Sequence, residues 1–187
     1  MSTSYRGLNP TEYYTLHPRP VYLIVVVKPD GGFNVMTIAW LTPVSSDPPK
    51  IALSISKDSL THKILSENGE FTVNILGEEH VDIAYRAGSI SGFKVDKWSM
   101  IGFKPVESKF ITAPGIDGCY GFLECKISNM IDVGECTLFI ADILSIHVRS
   151  DLVEKGFWNL RKARILLHCR SRIFTIPGRI IYATTRR

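Results

Sequence analysis

Between Ser54 and Lys63 the chain gathers four hydroxyls (Ser54, Ser56, Ser59 and Thr61), two lysines (Lys57 and Lys63) and the imidazole of His62. They fall where a strand pattern, Lys50–Ser56, gives way to a helical one, Ser59–Asn68. Ser59 reads as the N-cap, and Asn68-Gly69 as the stop. A helix start carries partial positive charge and unpaired N–H donors, so hydroxyls and cations collected there suit an anion, phosphate above all. No acid follows Ser59 in the first turn. The same residues also fit a capped helix with solvated lysines.

Other side-chain chemistry is hard to find. The sequence holds no G-x-S-x-G, P-loop, H-E-x-x-H or kinase set. Gly115, Gly118 and Gly121 have the wrong spacing for a dinucleotide fingerprint, and no βαβ pattern surrounds them. The five histidines (17, 62, 80, 147 and 168) show no metal-ligand spacing, and the four cysteines (119, 125, 136 and 169) form no C-x-x-C pair. We therefore expect no bound metal. Either no familiar catalytic side chain operates, or a cofactor carries the chemistry.

The elements that must position these residues are mostly strands. Tyr22–Lys28 is β-branched and aromatic, Pro29-Asp-Gly-Gly32 breaks it, and Asn34–Leu41 resumes, which is a hairpin signal. Pro43 to Pro49 reads as a loop. Glu70–Leu76 reads as a strand, Glu78–Ala87 as a helix ended by Gly88, and Val95–Ile101 as a helical turn. Two longer strands, Tyr120–Met130 and Cys136–His147, are joined at Asp132-Val-Gly134. Ile165–His168 and Ile173–Pro177 read as short strands or loops packed on the rest. This order favours a mainly β fold, an antiparallel barrel with short helices, over a βαβ sheet.

With 187 residues, 45% of them hydrophobic, the chain has one domain's worth of core and is not disordered. Its charge is divided. Residues 1–154 carry 13 Lys and Arg against 18 Asp and Glu, whereas residues 155–187 carry nine Lys and Arg and no acid. The longest apolar run, Val21–Val27, has seven residues, where a membrane span needs about 20. The opening residues show no apolar leader segment. The expectation is a cytoplasmic protein with no membrane partner.

An ordered series of short motifs adds to this. It runs through His17-Pro-Arg-Pro20, Asn34-Val-Met-Thr-Ile-Ala-Trp40-Leu-Thr-Pro43, Leu53-Ser-Ile-Ser56, Thr61-His62 and Glu70-Phe-Thr-Val-Asn74. It continues through Val95-Asp-Lys97-Trp98, Gly102-Phe, Leu123-Glu-Cys125 and Leu138-Phe-Ile-Ala-Asp142. The series, from about Pro18 to Leu152, closely resembles the flavin reductase-like family. These are FMN-binding split β-barrels that include flavin reductases, archaeal ferric reductases and flavoredoxin. The resemblance implies an antiparallel Greek-key split barrel forming a single domain over residues 1–187. Its core would span about 18–152, with residues 153–187 packing on the barrel or on a dimer partner.

The resemblance also implies a site. Asn34 and the segment Thr37, Ile38, Ala39 and Trp40 would lie along the flavin ring. Ser54 and Ser56 would face the ribityl chain and phosphate. Thr61 and His62, helped by Lys57 or Ser59, would hold the phosphate, Lys97 would reach the flavin's polar edge or phosphate, and Phe174 would close the pocket. Trp40 also reads as a core aromatic, Lys97 as a snorkelling surface lysine, and Asn74 as a strand-end partner of the backbone.

The implied function is an FMN-dependent oxidoreductase. Bound FMN would supply the redox chemistry, with no catalytic side chain required, and NAD(P)H would be the donor, stacking on the exposed face of the ring. The acceptor would be flavin, a ferric complex or another small molecule. One alternative is a flavoredoxin-like electron carrier reduced by a protein partner. A second is a non-enzymatic module that binds acidic partners through the basic tail. That tail lacks the interleaved aromatics of a nucleic-acid platform, so no nucleic-acid partner is expected. A homodimer with FMN near its interface is implied. The tail's cations would then meet acidic surface or phosphate, leaving Arg186-Arg187 as free solvated charge.

Overall fold

A computed structural model describes residues 3–184. The strands are β1 Arg19–Pro20, β2 Tyr22–Val27, β3 Phe33–Ile38, β4 Leu41–Ser46, β5 Pro49–Ser56, β6 Glu70–Ile75, β7 Pro105–Val106, β8 Gly115–Ile116, β9 Gly121–Val133, β10 Cys136–Val148, β11 Val153–Glu154, β12 Phe157–Trp158, β13 Leu167–Arg170 and β14 Ile173–Thr175. The α-helices are α1 Leu60–Asn68, α2 Val81–Ser89 and α3 Lys97–Ile101. The architecture is mainly β with a few short helices.

Seven strands form one antiparallel sheet in the order β3-β2-β6-β9-β10-β5-β4. The run of β2 explains its central place: Leu23, Ile24, Val25 and Val26 are all buried, so both faces of the strand pack. Ile24 and Val26 join Leu53, Ile55, Phe71, Val73 and Phe139 and the α1 residues Ile64 and Leu65 in one core. Leu23 and Val25 face the other way, onto Ala84 and Ala87 of α2 and Leu166 of the tail. The β2–β3 turn needs a left-handed residue, and Gly31 supplies it with φ 82°.

The edges of the sheet are β3 and β4, which are adjacent in sequence. The expected continuous strand Asn34–Leu41 is therefore two strands. Regular structure stops at Ile38, and a bend at Ala39-Trp40 carries the chain from the β2 side to the β5 side. The expected loop Pro43–Pro49 is likewise mostly strand, because Pro43 sits opposite Ile51 on an edge, where a missing N–H breaks no ladder.

The helix α1 begins at Ser59, whose Oγ accepts the His62 N–H at 3.1 Å, and ends at Gly69 with φ 70°. The expected helix Glu78–Ala87 opens instead with a 3-10 turn, Glu78–His80, and α2 runs through Gly88 to Ser89. Gly88 is not a stop. It lets the helix lie against β3, since a Cβ there would sit 3.2 Å from Thr37 Cβ.

The tail folds back on its own chain. Leu166 N–H donates to the Leu76 carbonyl at 2.9 Å, β13 pairs with β1, and β14 pairs with β13. Arg164 Nε meets Glu78 Oε1 at 2.6 Å, so part of the basic tail rests on the acidic body. Arg186-Arg187 lie outside the described residues. Asn74 is a buried backbone partner, donating to the Leu23 carbonyl and accepting from Ile116 N–H. All four cysteines are free, and burial pushes the Cys119 thiol up to about 12.

Candidate functional site

Because the sheet curls until its edges approach, it parts where β3 gives way to β4. The β4–β5 ladder continues to the edge of the parting, where Ser54 N–H donates to the Trp40 carbonyl at 3.0 Å. A cavity of about 610 Å³ opens there. Its walls include Met36–Trp40 from the end of β3 and the bend, Ser54–Ser56 from the end of β5, Ala84, Tyr85, Gly88 and Ser89 from α2, Glu135 and Cys136 at the start of β10, and His168, Ser171 and Phe174 from the tail hairpin. Val21, Ile38, Ile55, Trp40, Tyr14, Tyr85 and Phe174 give it large apolar and aromatic surfaces. Such walls suit a flat ring system.

A second chamber of about 330 Å³ adjoins the first, sharing Met36, Thr37, Ser56, Ser59, Gly88 and Ser89 with it. Its character is different. Asn34, Ser59, Thr61, Ser89, Ser91 and Lys97 line it, with Asp58 as the acid on its wall. Asn34 Nδ2 donates to Thr61 Oγ1 at 2.8 Å, tying β3 to α1. Gly92 allows the loop after α2 to close over this end, because a Cβ there would come within 2.4 Å of Asn34 Oδ1.

Lys97 decides what the second chamber can hold. It is 5% exposed and follows the N-cap Asp96 of α3. Its Nζ donates to the Ala87 carbonyl at 2.8 Å, near the C-terminal end of α2, and among the described residues it pairs with no carboxylate. Desolvation pulls its pKa down to about 8. A buried ammonium without a counter-charge is costly, and an anion beside it removes that cost. Hydroxyls of Ser59 and Thr61 at the start of α1 share the chamber. The donor set therefore fits a phosphate, and the adjoining aromatic chamber fits a ring attached to it.

Of the residues singled out in the sequence, Thr37, Ile38, Ala39, Trp40, Ser54, Ser56, Ser59 and Phe174 line the larger chamber, while Asn34, Thr61 and Lys97 line the smaller. Two stand apart. Lys57 Nζ is bound to Asp132 Oδ1 at 2.6 Å, at the end of β9, and to the Gly134 carbonyl at 2.7 Å, in the β9–β10 turn. The His62 ring meets Thr137 Oγ1 at 2.8 Å and lies edge-on to Phe139. Burial, then the Lys57 charge, hold its pKa below the ordinary histidine value. Both residues line neither chamber. Sequence reasoning missed Tyr14, His17, Tyr85, Ser89, Ser91, His168 and Ser171. His17 and His168 meet through the Nδ1 contact of His17 with the His168 carbonyl at 3.0 Å, a pairing across 151 residues that no local pattern announces.

Comparison with known proteins agrees with this geometry. A protein of Archaeoglobus fulgidus described as uncharacterized is 36% identical over 141 residues, covering 74% of this chain and 76% of its own length. Flavoredoxin of Desulfovibrio vulgaris (Miyazaki F) superimposes with a TM-score of 0.82 at 27% identity, covering 98% of this chain and 97% of that one. An FMN-binding protein from Thermus thermophilus, solved with bound p-hydroxybenzaldehyde, gives a TM-score of 0.83 at 25% identity, covering 98% of this chain and 100% of that one. Residues 14–177 match the flavin reductase like domain, a span that runs from the tyrosine at the cavity mouth to the end of the tail hairpin, and the chain belongs to that family.

Proposed function

We propose that this chain binds FMN in the two-chambered cleft, ring in the larger chamber and phosphate in the smaller, and acts as an oxidoreductase that draws on NADH or NADPH. The observation that carries this reading is Lys97, a buried cation without a carboxylate partner among the described residues, beside hydroxyls and next to an aromatic-walled chamber. The likeness to an FMN-binding protein and to a flavoredoxin supports it.

Bound there, FMN supplies the electron transfer, and the protein's part is orientation and electrostatics. Lys97 and the start of α1 hold the phosphate. The bend interrupts the ladder at Ala39, and the backbone N–H groups of Ala39 and Trp40 would meet the ring's polar edge. Trp40, Phe174 and Tyr85 shield the ring from water. No general acid or base is required of the protein.

A second reading, an electron carrier reduced by a protein partner, is favoured by the flavoredoxin likeness. Anaerobic titration separates the two. Bleaching of the flavin absorbance near about 450 nm by NADH or NADPH supports the reductase. Bleaching only by a reduced partner protein supports the carrier.

A homodimer belongs to the same proposal. The far part of β9 carries Met130, Ile131 and Val133, all exposed. A second copy packed on that end would cover them. Light scattering should give twice the chain mass, falling to the chain mass in Ile131→Asp. A wild-type monomer would contradict it.

A further inference from the structure

Arg170 at the end of β13 and the turn Ser171-Arg172 before β14 stand at the mouth of the larger chamber, where Ser171 forms part of the wall. The Arg170 guanidinium lies 5.2 Å from the ring centroid of Tyr14, and that of Arg172 lies 5.1 Å from the ring centroid of Tyr85. Both tyrosines line the same chamber, one from the N-terminal turn and one from α2. The two cations thus stand over two walls of one opening.

Neither arginine forms an ion pair among the described residues, and both are exposed. Stacking on an aromatic face orients a guanidinium without neutralising it, leaving its N–H fork free for a planar or phosphate oxyanion. Ser171 adopts φ 51°, the left-handed conformation that the tight turn between β13 and β14 uses, which fixes the directions in which its two flanking arginines leave the chain. Arg170 and Tyr14 also line a side pocket of about 350 Å³, together with Leu8, Thr11, Glu12 and Thr15. Tyr14 is therefore the wall shared by the large chamber and this side pocket. The acid of the side pocket, Glu12, is engaged by Asn9 N–H at 2.9 Å and lies beyond ion-pair distance of Arg170.

We propose that Arg170 and Arg172 form a phosphate clamp at the cleft mouth that selects a 2′-phosphorylated nicotinamide dinucleotide, NADPH over NADH. This rests on the reading that the cleft holds FMN, because the nicotinamide must then reach the larger chamber while the adenosine end lies outside it, beside Tyr14. A 2′-phosphate adds close to two negative charges there, and bidentate arginine contacts reward that group specifically.

The test uses the full chain and needs no turnover. Calorimetry with adenosine 2′,5′-bisphosphate and with 5′-AMP compares two probes that differ only in the 2′-phosphate. The wild-type chain is expected to bind the bisphosphate at least about tenfold more tightly, and Arg170→Gln/Arg172→Gln to lose that difference. Arg170→Lys/Arg172→Lys should restore part of it, through charge without the fork. In anaerobic reduction of the bound flavin, a single reduction event without turnover, the glutamine variant should need a higher NADPH concentration for half-maximal rate, with the NADH dependence and the limiting rate unchanged. Raising the salt should weaken bisphosphate binding to the wild-type chain more steeply than 5′-AMP binding, and that difference reads the clamp even if the glutamine variant fails to fold, equal salt dependence of the two probes counting against it. Equal binding of the two probes by the wild-type chain, or a preference that survives in the glutamine variant, overturns the proposal. FMN content is read on the same samples. A chain that binds no FMN defeats the proposed function, yet the bisphosphate preference is still measured.

Discussion

Lys97 is the residue on which the site turns. Its pKa of about 8 in the folded chain lies below the ordinary lysine value of 10.5, because burial disfavours the charge. Below pH 8 the flavin-free fold bears the whole cost of that charge. Between about 8 and 10.5 the unfolded chain binds more protons, so stability rises with pH. Lys97→Met should therefore be more stable than the wild type without flavin at pH 7, with the gap narrowing toward pH 10 in denaturant titrations. The same variant should bind FMN at least about tenfold more weakly. A stability gap that does not change with pH would contradict the assignment. The residue types around the smaller chamber were visible in the sequence, but their directions were not. Lys57 follows Ser56 by one position, yet its backbone N–H bonds to the Glu135 carbonyl and its side chain turns to the β9–β10 turn. Adjacency to a helix start places a cation in the neighbourhood, and only packing decides which way it faces.

At the scale of elements, two close approaches shape the cleft, and a carboxylate–imidazole pair with its carboxylate buried stands outside both chambers. Gly92→Ala should push Asn34 off Thr61, because the added Cβ meets Asn34 Oδ1 at 2.4 Å and Leu60 Cδ2 at 3.2 Å. FMN affinity should fall about tenfold while the melting temperature moves only a few degrees, since the loop packs on the site more than on the core. Glu124 is fully buried on β9, where its carboxylate accepts from Lys109 N–H and Phe110 N–H and meets His147 Nε2 at 2.7 Å. Burial alone would raise its pKa, but those two backbone donors and His147 hold it below the ordinary glutamate value. Glu124→Ala orphans these partners and should cost about 3–5 kcal/mol in denaturant unfolding. FMN binding by the folded fraction should be unaffected, since Glu124 lines neither chamber. The β2–β3 hairpin and both ends of α1 could be read from the sequence because turn glycines and caps are local chemistry. β4 could not, because Pro43 and Pro49 look like loop residues until an edge strand makes them harmless.

At the scale of the molecule, the curl of the sheet brings its two edges together and leaves the opening that the tail then covers. The covering depends on contacts between residues far apart in sequence, such as His17 with His168 and Leu76 with Leu166, so the tail's place could not be read locally. Its charge is now divided in role: Arg164 rests on Glu78, whereas Arg170 and Arg172 stand over tyrosines at the cleft mouth. The central claim is that the two chambers together hold one molecule, a flavin ring with a phosphate on its tail. Titration of the flavin-free chain with FMN and with riboflavin, followed by flavin fluorescence, tests it most directly. One FMN per chain should bind saturably, and riboflavin, lacking the phosphate that Lys97 requires, should bind at least about a hundredfold more weakly. No saturable FMN binding, or riboflavin binding as tightly as FMN, would contradict it.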